Sequence, residues 1–159
     1  MKVNSALKNF VLVLFSTLLI SACSTAKKAS VDTVDDVYTG TDTVEYLANG
    51  VPDRVFFATN KSSLTTRSRD TLRKQATYLR KNKDLTVTIE GHADERGTRE
   101  YNLALGERRA NAAKDYLMTY GVSGKRISVI SYGKEKPINP ASSPLAWSQN
   151  RRSVTIKAN

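Results

Sequence analysis

Cysteine and histidine are almost missing from this 159-residue chain, each occurring once, as Cys23 and His92. A single cysteine has no partner for an internal disulfide. A catalytic zinc centre takes three protein ligands from His, Cys and carboxylate, and none of the usual spacings is present. No serine stands in the glycine-flanked turn of a nucleophile elbow. An enzyme is therefore not expected, nor a metal or cofactor. Long apolar runs are missing too. The longest, Phe10 to Ile20, is broken by Ser16 and Thr17 and is too short to span a bilayer. No stretch repeats. Acids are outnumbered, 15 against 25 basic residues, for a net charge of +10. Such a balance fits nucleic acid, anionic lipid or an acidic polymer as partner. No basic strand interleaved with aromatics is present to read bases.

What stands at the N-terminus accounts for the cysteine. Lys2 and Lys8 precede the apolar run, and the small residues Ser21 and Ala22 precede Cys23. Residues 1–22 thus read as a secretory signal peptide, and an exported chain is not expected to meet nucleic acid. Its removal discards two lysines and no acid, leaving 137 residues with a net charge of +8. Ile20-Ser21-Ala22-Cys23 resembles a bacterial lipobox. That resemblance implies a diacylglyceryl group on the Cys23 thiol, cleavage before it and acylation of the new amine. Three acyl chains exceed the two signals that stable anchoring needs. Ser24 in place of an aspartate implies sorting to the outer membrane, with the domain in the periplasm. The alternative is an ordinary signal peptide followed by an incidental cysteine.

Residues 23–44 hold Ser, Thr, Ala, Asp and Lys with scattered valines and no sustained period, which predicts a disordered tether. Roughly 20 residues reach about 70 Å fully extended and about 25 Å as a coil. The folded part, 45–159, reads strand, helix, strand, helix, strand, short helical turn, strand. Arg54–Ala58 is a strand opened by Pro52. Leu64 to Lys81 is a helix with Leu72, Gln75, Ala76 and Leu79 inward, capped by Ser63 or Thr65. In Leu85–His92, Leu85, Val87 and Ile89 alternate with Thr86, Thr88 and Glu90. Arg99 to about Tyr120 is a long helix ended by Gly121. Arg126–Tyr132 and Arg151–Lys157 are strands, separated by a loop with Pro137, Pro140 and Pro144 and by at most one helical turn at Leu145–Gln149. Strands alternating with helices predict an α/β sandwich.

The densest information lies in residues 91–113, where a strand runs into a charged loop and then a helix. The spacing puts Asp94 at the sheet edge, and Asn102, Leu105 and Arg109 on one helical face. An arginine that takes an anion, facing an aspartate that takes a cation, suits a zwitterionic ligand. This segment resembles the OmpA-like peptidoglycan-binding domain family, specifically its lipid-anchored branch, and the resemblance covers about residues 45–159. It implies a mixed four-stranded sheet in the order β-α-β-α-β-β, with helices packed on one face.

It also implies the ligand, the diaminopimelate of the peptidoglycan stem peptide, whose side-chain end carries both an ammonium and a carboxylate. Asp94 matches the aspartate that receives the ammonium. Arg109, fifteen residues on, matches the arginine that forks onto the carboxylate, which Lys cannot do bidentately. Asn102 is expected to line the pocket by hydrogen bonding and Leu105 by packing. The amides from Gly97 and Thr98 to Glu100 are expected to add donors at the helix start. A structural Asp94–Arg109 salt bridge is the competing reading. Under the ligand reading, loss of either residue removes binding with only modest loss of stability.

The surrounding residues read more plainly. Arg108 is a surface partner of the doublet, Glu95 and Arg96 are solvated loop charges, and His92 orients the loop or touches the ligand. Gly106, costing about 1 kcal/mol in a helix relative to Ala, implies close packing on a neighbour. Asn150-Arg151-Arg152 is structural or partner-facing. The family loop after the first strand usually bears an aspartate where this chain has Asn60. The resemblance further implies Tol-system partners, TolB with TolA as a second candidate, and a role in envelope integrity and cell division.

Overall fold

The computed structural model describes residues 36–158; the signal peptide, Cys23 and the first part of the expected tether lie outside them. Local sequence accounts for the helices. In α1, Thr66–Lys81, Thr65 caps the start by accepting from the Ser68 N–H at 3.1 Å. Ser68, Leu72, Gln75, Ala76 and Leu79 form its buried stripe, and Arg80 and Lys81 complement the negative end of its dipole. In α2, Arg99–Thr119, Thr98 is the cap and takes the Tyr101 N–H at 3.2 Å. That helix stops in a Schellman motif, in which Val122 N–H reaches Leu117 O and Gly121 N–H reaches Met118 O. Gly121 supplies the required positive φ of 84°, and Val122 is buried against the core.

The main sheet is built from β3 (Arg54–Phe56), β4 (Thr86–His92), β5 (Ile127–Gly133) and β6 (Arg152–Ala158), in the spatial order β3-β6-β4-β5. β4 and β5 run parallel, while β6 is antiparallel to both β3 and β4. This is the mixed four-stranded α/β sandwich expected. Val87 and Ile89 of β4, with Val55 and Ile127, face α1 and α2 and form the core with Phe57, Leu72, Leu79, Ala110 and Leu117. Glycine sets the spacing between α2 and β4. A Cβ built on Gly91 would lie 1.8 Å from the carbonyl oxygen of Gly106, so helix and strand touch backbone to backbone. Gly106 is the close-packing glycine the sequence implies.

Three features differ from the sequence expectation. A short hairpin, β1 (Tyr46–Ala48) and β2 (Val51–Pro52), precedes the sheet, where the sequence reading expects no strand. The expected single turn at 145–149 is a two-turn helix, α3 (Pro144–Asn150), capped by Ser143. Residues 36–44, assigned to the tether, lie on the domain. Val37 and Tyr38 are buried, and Tyr38 meets Phe56 edge-on at 4.8 Å between ring centres. The folded unit therefore includes Asp36, nine residues earlier than its predicted start at 45.

Candidate functional site

Where β4 ends, the Ala93 N–H reaches Gly133 O at 2.8 Å, which fixes the strand exit. Asp94 follows, 7% exposed. Arg96 turns back onto it, donating Nε to Oδ1 at 3.1 Å and Nη2 to Oδ2 at 2.7 Å. Arg151, the residue between α3 and β6, donates Nη1 to the same Oδ2 at 3.3 Å. Burial alone raises the Asp94 carboxyl, but hydrogen bonds from Arg96 and then Arg151 outweigh it and hold the group below its ordinary 3.8. Asp94 therefore stays ionised as pH falls through 3.8. Its contribution to stability, present above that value, fades only at lower pH.

Arg109 comes from the middle of α2 and is fully buried. Its Nε, Nη1 and Nη2 donate to Lys61 O at 2.9 Å, His92 O at 2.8 Å and Ala58 O at 3.1 Å, and its guanidinium lies 5.3 Å from the centre of the Phe57 ring. Burial, and then the Arg151 charge, lower its pKa to about 9, so it remains a cation at neutral pH. Those carbonyls are its hydrogen-bond acceptors among the described residues. A guanidinium carries five N–H groups, so two are not used by these three bonds. The ion pairs of Asp94 are with Arg96 and Arg151, and no Asp94–Arg109 ion pair forms among the described residues. The competing structural reading of that pair is thus not realised.

Asn102 is buried and donates Nδ2 to Arg96 O at 2.8 Å, so it holds the loop that holds Asp94. Leu105 is buried one turn before Arg109. Gly97 and Thr98 form an exposed rim. Gly97, at φ +91°, gives its carbonyl to Lys134 Nζ at 2.7 Å, while Thr98 caps α2. The loop after β3 works through its backbone, since Ala58 and Lys61 present carbonyls to Arg109. Asn60 sits between them at φ +55°, a conformation Asn and Asp both tolerate. The exchange of aspartate for Asn60 leaves this function of the loop intact.

Some sequence expectations are corrected here. Arg96, read as a solvated loop charge, clamps Asp94 and stacks on Trp147 at 4.3 Å, while Glu95 accepts from the Trp147 indole at 2.8 Å. Arg151, read as structural or partner-facing, is structural: it is 1% exposed and bonds Asp94 and Phe57 O, a place beside Asp94 that the sequence reading does not give it. Strand alternation was a usable signal, because in an Arg-Arg doublet entering a strand the two side chains face opposite ways. Thr59 and Asp36 also meet there. Arg108 is exposed over Tyr101 at 6.0 Å, as a surface residue.

His92 touches the site through its carbonyl alone. Its ring lies on the other sheet face, buried, 5.6 Å from Tyr132 and with both nitrogens unpartnered. Glu90 Oε2 is 3.5 Å from Nε2, yet burial, with the charges of Arg152, Lys136 and Arg54, lowers the ring to about 3. The unfolded chain takes up this proton near 6.5 and the folded one does not, so stability drops as pH falls from 6.5 towards 3. We expect a loss of about 1–2 kcal/mol between pH 7 and 5 from this group, read as urea midpoints. The slope should flatten in His92→Gln; an unchanged slope in that variant would assign it to other groups.

No group of three His, Cys, Asp or Glu among the described residues is placed to hold a metal, and no described helix is long and apolar enough to cross a membrane. A groove of about 790 Å³ lined by Asp70, Arg73, Lys74, Tyr78 and Lys81 does not include Asp94 or Arg109.

Residues 56–151 match the OmpA family. A peptidoglycan-associated lipoprotein of Rhizobium meliloti is 56% identical over 106 residues, which is 67% of this chain and 60% of that protein. The match to it therefore spans less than two thirds of that relative. One from Brucella melitensis is 42% identical over 151 residues, covering 91% of this chain and 89% of the relative. Among solved structures, the peptidoglycan-associated lipoprotein of Burkholderia pseudomallei superposes with a TM-score of 0.65 at 36% identity, over 67% of this chain and 90% of that one. The C-terminal domain of Helicobacter pylori MotB, 22% identical with a TM-score of 0.63 over 67% of this chain and 84% of that one, shares the fold. The chain belongs to the OmpA family, and its relatives there include peptidoglycan-associated lipoproteins.

Proposed function

We propose that this chain is an outer-membrane lipoprotein, acylated at Cys23, whose periplasmic domain binds peptidoglycan without catalysis and ties the membrane to the wall. The names of its relatives support the wall and lipoprotein parts; Cys23 lies outside the described residues. The ligand is the side-chain end of a diaminopimelate in the stem peptide. One observation carries this reading: a buried carboxylate and a buried guanidinium that do not neutralise each other. Asp94 receives the ammonium in exchange for Arg96, whose side chain is 42% exposed. Arg109 receives the carboxylate on its two remaining N–H groups. Asn102, Leu105, Gly97 and Thr98 shape the pocket around them. TolB, with TolA as a second candidate, competes with the wall for the domain.

The test is co-sedimentation of the full chain, in detergent, with purified peptidoglycan. Asp94→Asn keeps the shape of the side chain and removes its charge. Charge-assisted hydrogen bonds are worth roughly 1.5–3 kcal/mol, so binding should weaken about ten- to a hundredfold. Folded Asp94→Asn protein that pellets as wild type does would place the ligand elsewhere.

A further inference from the structure

Arg151 reaches Asp94 from the opposite end of the chain and holds more than that carboxylate. Its Nε donates to Phe57 O at 3.0 Å, and its Nη2 donates to both the carboxylate and the backbone carbonyl of Asp36. Thr59 completes the cradle. Its amide donates to Asp36 Oδ2 at 3.2 Å and its hydroxyl donates to the same oxygen. A carboxylate thus rests on a buried guanidinium, a backbone amide and a hydroxyl, which is a donor set suited to a carboxylate from any source.

The carboxylate now in place sits at the edge of the fold. Asp36 belongs to no strand of the main sheet, and its segment is fastened by Val37 and Tyr38 against Phe56. Its side chain is 45% exposed, whereas that of Arg151 is 1% exposed. A buried guanidinium that loses its anion is costly, and one that exchanges one anion for another is not. Asp94 shows the mirror image, being filled by the exposed cation of Arg96. Asp94 and the Arg151–Thr59 cradle are thus each filled from within the chain, one by a partly exposed cation and the other by a partly exposed anion.

We propose that Arg151 and Thr59 form a second carboxylate subsite beside the Asp94–Arg109 pair, and that Asp36 fills it in the free protein as an internal competitor. This rests on the reading of Asp94 and Arg109 as the stem-peptide site. Arg109 takes the diaminopimelate carboxylate, and the second subsite takes another carboxylate of the same peptide, either its chain terminus or the α-carboxylate of its glutamyl residue.

The test measures the affinity of the detergent-solubilised full chain for a soluble diaminopimelate-containing tetrapeptide by calorimetry, in wild type, Asp36→Asn and Asp94→Asn. Asn tolerates the φ of +57° at position 36, so the fold is preserved while the competing charge is lost. If the competitor occupies the subsite about nine-tenths of the time, its removal tightens binding about tenfold. That gain should vanish with a peptide amidated at one of the two carboxylates, which identifies the one bound. Affinity in Asp36→Asn equal to or below wild type would overturn the subsite, as would a gain that persists with both amidated peptides. Failure of wild type and Asp36→Asn alike to bind, or full binding by Asp94→Asn, would overturn the stem-peptide reading itself and the subsite with it.

Discussion

Arg109→Leu should destabilise the domain by roughly 3–5 kcal/mol, because a buried acceptor stripped of its donor costs about 1–3 kcal/mol and three are stripped here. The acceptors, Ala58 O, Lys61 O and His92 O, come from the loop after β3 and from the end of β4, so one side chain joins the two segments. The sequence reading expects this variant to lose binding with little loss of stability. The structure points to a larger loss of stability, since Arg109 bonds three backbone carbonyls of two segments. Arg109→Lys keeps a charge but replaces three forked donors by one mobile ammonium, and should recover part of the loss. Urea unfolding at constant m-value reads both. A midpoint for Arg109→Leu within error of wild type would show that water satisfies those carbonyls as well as the guanidinium does.

Gly91→Ala should be comparably damaging for an unrelated reason. The new methyl would sit 1.8 Å from Gly106 O and 2.5 Å from Gly106 C, atoms of a helix backbone that cannot turn aside. Overpacking of this kind costs about 3 kcal/mol, which for a domain of this size lowers Tm by about 10 °C. Gly106→Ala is the informative contrast. Its methyl would meet Ser131 Oγ at 2.4 Å and Gly91 O at 2.9 Å. The hydroxyl can rotate away from its bond to Leu103 O, and Ala in a helix regains about 1 kcal/mol over Gly. Gly106→Ala should therefore melt well above Gly91→Ala. Equal melting temperatures for the two would mean that α2 shifts as a body and that the backbone contact does not fix its height.

The main sheet and both long helices were legible because their residues alternate or recur against one core. Val87 and Ile89, or Leu72, Ala76 and Leu79, announce their face without knowledge of a partner. The hairpin was not, although Asn49-Gly50 is a strong turn signal, because strands of three and two residues are too short to show a period. Val37 and Tyr38 look like tether residues until Phe56 is placed beneath them, a fit that exists only in the folded molecule. In the site, Asp94, Asn102, Leu105 and Arg109 share one strand-loop-helix segment and could be read together. Arg151, Thr59 and Asp36 arrive from elements up to 115 residues apart, and nothing local in any of them points to the others. Arg96 was misread for a related reason, since a charge in a loop is ordinarily solvated and only the carboxylate two residues before it says otherwise.

The position of Asp36 has a mechanical corollary. Tension drawn along the chain from its N-terminal side reaches the Asp36–Arg151 contact before any strand. The grip of Tyr38 on Phe56 comes next, then the hairpin, and only then the edge strand β3 with its rungs to β6. A pull therefore lifts the internal carboxylate out of its cradle while Asp94, Thr59, Arg109 and Arg151 stay seated on the sheet and its loops. Under the internal-competitor proposal, a taut chain opens the cradle to a ligand carboxylate, so load drawn through the N-terminal segment would strengthen the hold that bears it.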